Sequence, residues 1–167
     1  MPIPQWALWL SFWLHMLATV VWIGGLAALA LFVLPVMQRS LKPRDFANWL
    51  GNLNKRLDPI GWFSLGLLTF TGLIQMDANP NYVGLLAVGN SWSQAIFLKH
   101  LAFIAMIAVS AYSTWAVAPA LQKAAIQRAS RSAKAEQHSH ARLQRLIQLN
   151  LFLGLLILVF TAFARVS

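Results

Sequence analysis

The 167-residue chain contains no cysteine, and only four of its residues are Asp or Glu. The absence of cysteine excludes disulfide bonds, thiolate metal sites and cysteine-ligated iron–sulfur clusters. Charged residues make up 10% of the chain and hydrophobic residues 59%, whereas soluble proteins carry about 25% charged residues. This composition excludes an ordinary soluble domain and predicts a protein of the lipid bilayer.

Several functional motifs are also missing. The sequence has no Ser–His–Asp arrangement, no glycine-rich phosphate loop and no paired carboxylates within an apolar segment. Hydrolase, nucleotide-binding and carboxylate proton-pump functions are therefore not supported. The net charge of +9 does not predict nucleic-acid binding, because the basic residues flank apolar segments, as the positive-inside rule expects of membrane proteins.

Four apolar segments are long enough to cross a hydrocarbon core of about 30 Å, which takes roughly 20 helical residues. They cover about residues 6–37, 60–76, 93–118 and 146–164. The predicted fold is an all-α integral membrane protein, a four-transmembrane-helix bundle that forms a single membrane domain over residues 1–167.

The links between these segments predict the orientation. Residues 39–58 hold five of the 13 Lys and Arg residues, and residues 122–145 hold six more. We therefore expect both links in the cytoplasm and both termini outside, in a multi-pass protein of the bacterial inner membrane. Helical spacing of apolar residues in 39–58 predicts an interfacial amphipathic helix. The Ala-rich segment 122–145 predicts a cytoplasmic helical hairpin.

Three ionisable residues lie within the predicted spans: His15, Lys99 and His100. Such residues are costly in a bilayer and are functional candidates by default. His15 follows Trp6 by nine residues and His100 follows Ser93 by seven, which places them roughly 13 and 10 Å deep at helical rise. Two histidines at similar depth on different helices predict a haem or metal site, with His15 and His100 as ligands.

Other residues are expected to complete this site. Lys99 and His100 point about 100° apart on one helix, so we expect only one of them to face the cofactor. We assign the iron to His100 and a propionate to Lys99, and the reverse assignment remains open. Small and polar residues form stripes at helical spacing in the second and fourth spans. The predicted cofactor-binding residues are His15, Trp22, Gly72, Lys99, His100 and Thr161, and no catalytic residue is predicted.

The first span reads Leu14-His15-Met16-Leu17-Ala18-Thr19-Val20-Val21-Trp22-Ile23-Gly24-Gly25. It resembles the first-helix motif of the copper resistance protein D (CopD) family, a histidine followed seven residues later by Trp-x-Gly-Gly. The resemblance continues at Leu34-Pro35, at Thr71-Gly72, at Phe97-Leu98-Lys99 and at Ala118-Pro119. It implies a membrane protein that handles copper.

A weaker similarity links the chain to the HemJ-type membrane protoporphyrinogen oxidases. Its basis is a first-span histidine followed by Trp and Gly and a third-span lysine, here His15 and Lys99. The function predicted first is binding of haem b for electron transfer, with the lipid bilayer and other membrane redox subunits as partners. Copper transport or delivery is the alternative, and an oxidase-like enzyme or a cofactor-free structural subunit also remain open.

Overall fold

The computed structural model describes residues 3–82, 84, 88–120 and 133–166. Every regular element in these ranges is helical: α1 (Gln5–Ala28), the π-helical turn π1 (Leu29–Val33), α2 (Leu34–Ser40), α3 (Pro43–Asp77), α4 (Ser91–Tyr112), a second π-helical turn π2 (Ser113–Val117) and α5 (Ala133–Val166). Four stretches are long and apolar enough to cross a membrane: Gln5–Ser40, Asn48–Asp77, Ser91–Ala120 and Ala141–Val166. We call them spans 1 to 4, and they confirm the predicted all-helical, four-span architecture.

The outside of the bundle is more apolar than its inside. Large hydrophobic side chains such as Phe63 (72% exposed) and Trp115 (70% exposed) point away from the protein. Small or hydroxyl side chains fill the helix contacts, among them Ser11, Ala18, Ala95 and Ala102. An apolar exterior over close helix contacts between small residues is what a bilayer requires, because lipid replaces water as the solvent. The chain is a membrane protein.

The four spans form two hairpins. Helix α1 packs along α3, and α4 packs along α5, while α1 and α5 make the main contact between the two pairs. Near the start of span 1, Ser11 ties the first hairpin together, because its hydroxyl donates to the Thr71 carbonyl at 3.2 Å and its own carbonyl accepts from Gln75 Nε2 at 3.2 Å. This pairing leaves space between the hairpins, and the cavities described below occupy it.

Span 3 repeats the pattern of span 1. Both contain a five-residue π-helical turn, and each turn is followed by a proline, Pro35 or Pro119. A proline clashes with the carbonyl four residues earlier, and in both spans that carbonyl lies within the π-helical turn, which relieves the clash. Trp22 and Met106, which are bonded to each other, stand 84 positions apart. The two turns and the two prolines are also 84 positions apart, so spans 1 and 3 share this local pattern.

The predicted interfacial helix is not a separate element. Residues 43–58 are helical, but they continue without a break into span 2 as the 35-residue helix α3, with Pro59 in its interior. The apolar residues Phe46 and Leu50 are each 3% exposed and pack against Leu34, Val117 and Leu143. These residues bury their apolar face against the ends of the other spans, which explains the continuous helix.

The link between spans 3 and 4 is helical where it is described. Helix α5 begins at Ala133, eight residues before span 4, while residues 122–132 of the predicted hairpin lie outside the described residues. Arg142 donates a hydrogen bond to the Tyr112 hydroxyl and stands 5.2 Å from the centre of the Tyr112 ring. This contact joins α4 to α5 near the end that carries the basic residues.

Candidate metal-binding site

A cavity of about 490 Å³ lies between the two hairpins, and we call it the histidine cavity. All six residues that the sequence analysis assigned to the site line it: His15, Trp22, Gly72, Lys99, His100 and Thr161. They come from all four spans, so the cavity is a property of the assembled bundle. Lys99 and His100 both line the cavity, whereas we expected only one of them to face it, because the space is wide enough to be reached from two directions on α4.

His15 is held by a threonine of span 2. Its Nδ1 lies 2.8 Å from Thr71 Oγ1, and the Thr71 hydroxyl lies 2.6 Å from the Leu67 carbonyl oxygen. A carbonyl can only accept, so the threonine proton is engaged there and the hydroxyl oxygen accepts from His15 Nδ1–H. Thr71 is 1% exposed, so water does not replace this bond. The His15 Nε2 atom therefore keeps its lone pair free for a ligand.

His100 is held in the same tautomer by its own helix. Its Nδ1 donates to the Ile96 carbonyl oxygen at 2.7 Å. Because that oxygen can only accept, the neutral ring carries its proton on Nδ1 and its lone pair on Nε2. Metal-binding histidines show this arrangement, in which the second ring nitrogen donates to a fixed oxygen and orients the ligand. Two histidines on different spans thus offer one free imidazole nitrogen each.

Lys99 is the cation of the cavity closest to these ligands. It is half-buried, and its charge acts on His15. None of the described residues forms a hydrogen bond or an ion pair with its side chain. No Asp or Glu is among the described residues that line the cavity. An unpaired lysine here opposes a bound cation and favours a bound anion.

Three of the five methionines line the same cavity: Met16, Met76 and Met106. The described residues contain no group of three or more His, Cys, Asp or Glu side chains that could hold a metal ion. Imidazole nitrogen and thioether sulfur are therefore the soft donors that the lining of the histidine cavity offers to a metal. The sequence analysis missed these methionines, although Met106 follows Lys99 by seven positions and Met76 follows Gly72 by four, the spacings of one helix face.

The remaining predicted residues shape the cavity. A Cβ atom at Gly72 would meet His15 Cε1 at 3.5 Å, so this glycine lies directly against the imidazole ring. Trp22 donates from Nε1 to Met106 Sδ at 3.3 Å. The Thr161 hydroxyl donates to the Ile157 carbonyl of its own helix at 2.7 Å. Thr71 and Gly72 thus both touch His15, which gives the Thr-Gly pair of span 2 a structural role.

The comparison with protein families identifies the chain. The model of copper resistance protein D matches residues 51–164. The chain belongs to the CopD family. The matched residues include Thr71, Gly72, Lys99 and His100, which line or support the histidine cavity, while His15 and Trp22 precede them.

The CopD match settles which of the two resemblances holds. It confirms the likeness to CopD, and none of the comparisons supports the weaker likeness to the HemJ-type oxidases. None of the curated proteins and none of the solved structures compared with the chain matches it. The family therefore relates this membrane protein to copper resistance.

Proposed function

We propose that this CopD-family protein binds copper as its cargo in the histidine cavity and passes it into or across the bilayer. The observation that carries the proposal is the pair of imidazoles from spans 1 and 3. Each has Nδ1 bonded to a fixed oxygen and Nε2 free, and both line one cavity. The family match favours copper over haem b, which the sequence analysis placed first.

The ligand types in the histidine cavity favour one oxidation state of copper. Neutral imidazole and thioether ligands are soft or borderline donors and suit Cu(I), whereas hard cations prefer carboxylate and carbonyl oxygen. The histidine cavity offers His15, His100 and the three methionine sulfurs, with no carboxylate among its described lining residues. A Cu(I) ion bound there keeps its full positive charge.

Lys99 gives this site the character of a transport site. Its charge acts on His15, so it raises the energy of a bound copper ion. A transported ion must bind strongly enough to enter and weakly enough to leave. The lysine therefore favours release over storage.

The positions of the basic residues indicate the side of the membrane from which copper enters. Residues 39–58 and 133–145, which form or adjoin one end of spans 1, 2 and 4, carry most of the described Lys and Arg residues. We place this end of the bundle on the cytoplasmic side by the positive-inside rule. The chain is then a single membrane domain with both termini outside, in the bacterial inner membrane. The histidine cavity opens in the outer half of the bilayer, so copper enters it from outside.

Haem b is the second candidate for the same histidine pair. One observation favours it: Lys99 and Arg165 line the cavity, where no described carboxylate neutralises them, and haem carries two propionates. Electron transfer with other redox subunits would follow from this occupant. The family match is the reason to place it second.

Thr71 provides the first test of the copper site. Thr71→Val keeps the volume of the side chain and removes the acceptor for His15 Nδ1–H. We expect Cu(I) affinity to fall about 10–100-fold, because the loss of such an orienting partner typically has this effect. The measurement is a titration of purified protein with Cu(I) under ascorbate, against a chromogenic competing chelator.

Thr69→Val is the matched control. Thr69 is on the same helix and also lines the histidine cavity, but its hydroxyl donates to the Leu65 carbonyl and not to His15. Its replacement is expected to leave Cu(I) affinity within about twofold of the wild type. Equal affinities in the two variants would contradict the assignment of His15 as a ligand, and no binding by the wild type would overturn the proposed function.

A further inference from the structure

A second cavity, of about 350 Å³, lies between the spans next to the histidine cavity, and we call it the aspartate cavity. Oxygen-bearing side chains from spans 2, 3 and 4 line it: Asn54, Asp58, Ser110, Ser113, Thr114 and Asn150. The proposed copper function uses none of these six residues. Two of them, Ser113 and Thr114, belong to π2, and single π-helical turns within helices are frequent at functional sites.

Asn150 provides an unmet acceptor in this cavity. The residue is 5% exposed, and its Nδ2 donates to Ser110 Oγ at 2.7 Å. Because the Ser110 proton is donated to the Met106 carbonyl at 2.8 Å, Ser110 Oγ can only accept here, and the amide must turn its nitrogen toward it. The Asn150 Oδ1 atom is fully buried and has no hydrogen-bond partner among the described residues. A buried acceptor left unpaired is costly, so a donor or a cation is expected beside it.

Asp58 brings a negative charge into the same cavity. It follows the first residue of span 2 by ten residues, and Asn150 follows the first residue of span 4 by nine, which places them roughly 15 and 13 Å deep at helical rise. None of the described residues that line the aspartate cavity is Lys, Arg or His, and the basic neighbours Lys55 and Arg56 are exposed. A carboxylate within a membrane span usually pairs with a cation or marks the route of an ion. A carboxylate and an unmet amide oxygen at similar depth on two spans thus both favour a bound cation.

The donors of the aspartate cavity suit a hard cation. Carboxylate, amide and hydroxyl oxygens bind hard ions, whereas Cu(I) prefers the imidazole and thioether groups of the histidine cavity. The described lining contains a single carboxylate, that of Asp58. A monovalent ion beside it gives a neutral pair, but a divalent ion would leave a net positive charge within the bilayer, which is costly. Donor type and charge together therefore favour Na⁺ or K⁺.

Trp22 keeps the two cavities apart. It lines both of them, and its indole N–H is bonded to Met106 Sδ. A Cβ atom at Gly61 would come within 2.6 Å of Trp22 Cζ3, so the indole packs directly against this glycine of span 2. Lys99 lines the histidine cavity and not the aspartate cavity. An alkali cation is therefore repelled in the first cavity and attracted by Asp58 in the second.

We propose that the aspartate cavity binds one alkali cation, Na⁺ or K⁺, through the Asp58 carboxylate and the side-chain oxygen of Asn150. The hydroxyl groups of Ser113 and Thr114 and the amide oxygen of Asn54 complete the set of candidate ligands. The cation cancels the charge of Asp58 within the bilayer and satisfies the acceptor of Asn150, so it links spans 2 and 4. The proposal is independent of copper, since neither Asp58 nor Asn150 lines the histidine cavity.

Thermal unfolding of the full chain in lipid nanodiscs tests this site. The wild type is compared in sodium, potassium and choline chloride at equal ionic strength and without copper, with tryptophan fluorescence as the measure of unfolding. Choline is the reference because its bulky quaternary ammonium group cannot be ligated by these oxygen atoms. We expect Na⁺ or K⁺ to raise the unfolding midpoint by at least about 3 °C, because an ion that binds only the folded state stabilises it. The rise should saturate with salt concentration.

Two variants remove the proposed ligands one at a time. Asp58→Asn keeps the shape of the side chain and removes its charge, and Asn150→Leu removes the unmet acceptor. We expect the midpoints of each variant in the three salts to agree within about 1 °C, because the ion no longer binds. Asp45→Asn is the matched control, since Asp45 is an exposed carboxylate on α3 that lines neither cavity, and we expect it to keep the full shift.

Equal midpoints of the wild type in the three salts would overturn the proposal. A shift that both Asp58→Asn and Asn150→Leu retain would also overturn it, since the ion would then bind elsewhere. A midpoint that responds to pH but not to Na⁺ or K⁺ would do the same and would make Asp58 a proton-binding residue. If Asp58→Asn is absent from the membrane fraction, Asn150→Leu decides, because leucine is similar in size to asparagine and suits the interior of a span. The Cu(I) titrations decide the copper function separately.

Discussion

Replacement of His15 and His100 together by alanine is expected to abolish high-affinity copper binding. Each histidine offers a free Nε2 atom to the histidine cavity, and the lost donors come from two different spans. Even the loss of an orienting partner lowers metal affinity by 10–100-fold, so the loss of both direct ligands should lower it by more than about 100-fold. The Cu(I) titration against a competing chelator measures this change.

The control for this pair is the replacement of His138 and His140, the other two histidines of the chain. It removes the same number of imidazoles from the link between spans 3 and 4. We expect wild-type affinity in this control. If the His15 and His100 variant folds, stays in the membrane and still binds Cu(I) as the wild type does, then the copper site lies elsewhere.

Lys99→Gln is expected to raise Cu(I) affinity by about tenfold, which corresponds to about 1.4 kcal/mol. The lysine is half-buried and its charge acts on His15, so its removal relieves repulsion of a bound cation. A haem in the same cavity gives the opposite sign, because Lys99 would then pair with a propionate and its loss would weaken retention. The sign of the change therefore distinguishes the two occupants.

Arg39→Gln is the control for the loss of a positive charge. Arg39 ends span 1 at α2, and it lines neither cavity. Its replacement should leave Cu(I) affinity unchanged, because a distant exposed charge is screened by solvent and salt. Weaker copper binding in Lys99→Gln, with Arg39→Gln unchanged, would contradict the role given to the lysine.

Much of the fold follows from the sequence because charge and hydropathy are segregated along the chain. The bilayer imposes helix length and excludes charge from the spans, so four apolar segments become four helices. The interfacial helix was predicted less well. Periodicity at Phe46 and Leu50 reveals an apolar face, but not whether lipid or protein covers it, and in the structure it packs against Leu34 and Leu143.

The candidate site, like the fold, was predicted only in part from the sequence. Intramembrane His15, Lys99 and His100 are recognisable one by one because ionisable groups are rare in spans. Most of the small and polar stripe residues of spans 2 and 4 line one of the two cavities, including Gly72, Asn150 and Thr161. Sequence spacing locates these faces but does not say which faces meet, since that depends on how the two hairpins pack.

The hydrogen-bond partners that complete the site could not be predicted from the sequence for the same reason. The hydrogen bond from His15 to Thr71 joins spans 1 and 2 through residues 56 positions apart in the sequence. The bond from Trp22 to Met106 joins spans 1 and 3 through residues 84 positions apart. Threonine and methionine are ordinary residues of membrane helices, so neither stands out by composition. Their roles appear only when the structure brings them into contact.

The metal and pigment content of the purified, copper-loaded protein distinguishes a copper site from a haem site. Elemental analysis together with an absorption spectrum, recorded on protein extracted from the membrane, measures both candidate occupants in one sample. We expect bound copper, no iron and no Soret band, with the copper lost in the His15 and His100 variant. Stoichiometric iron with a Soret band that disappears in that variant would contradict it and assign the histidine pair to haem.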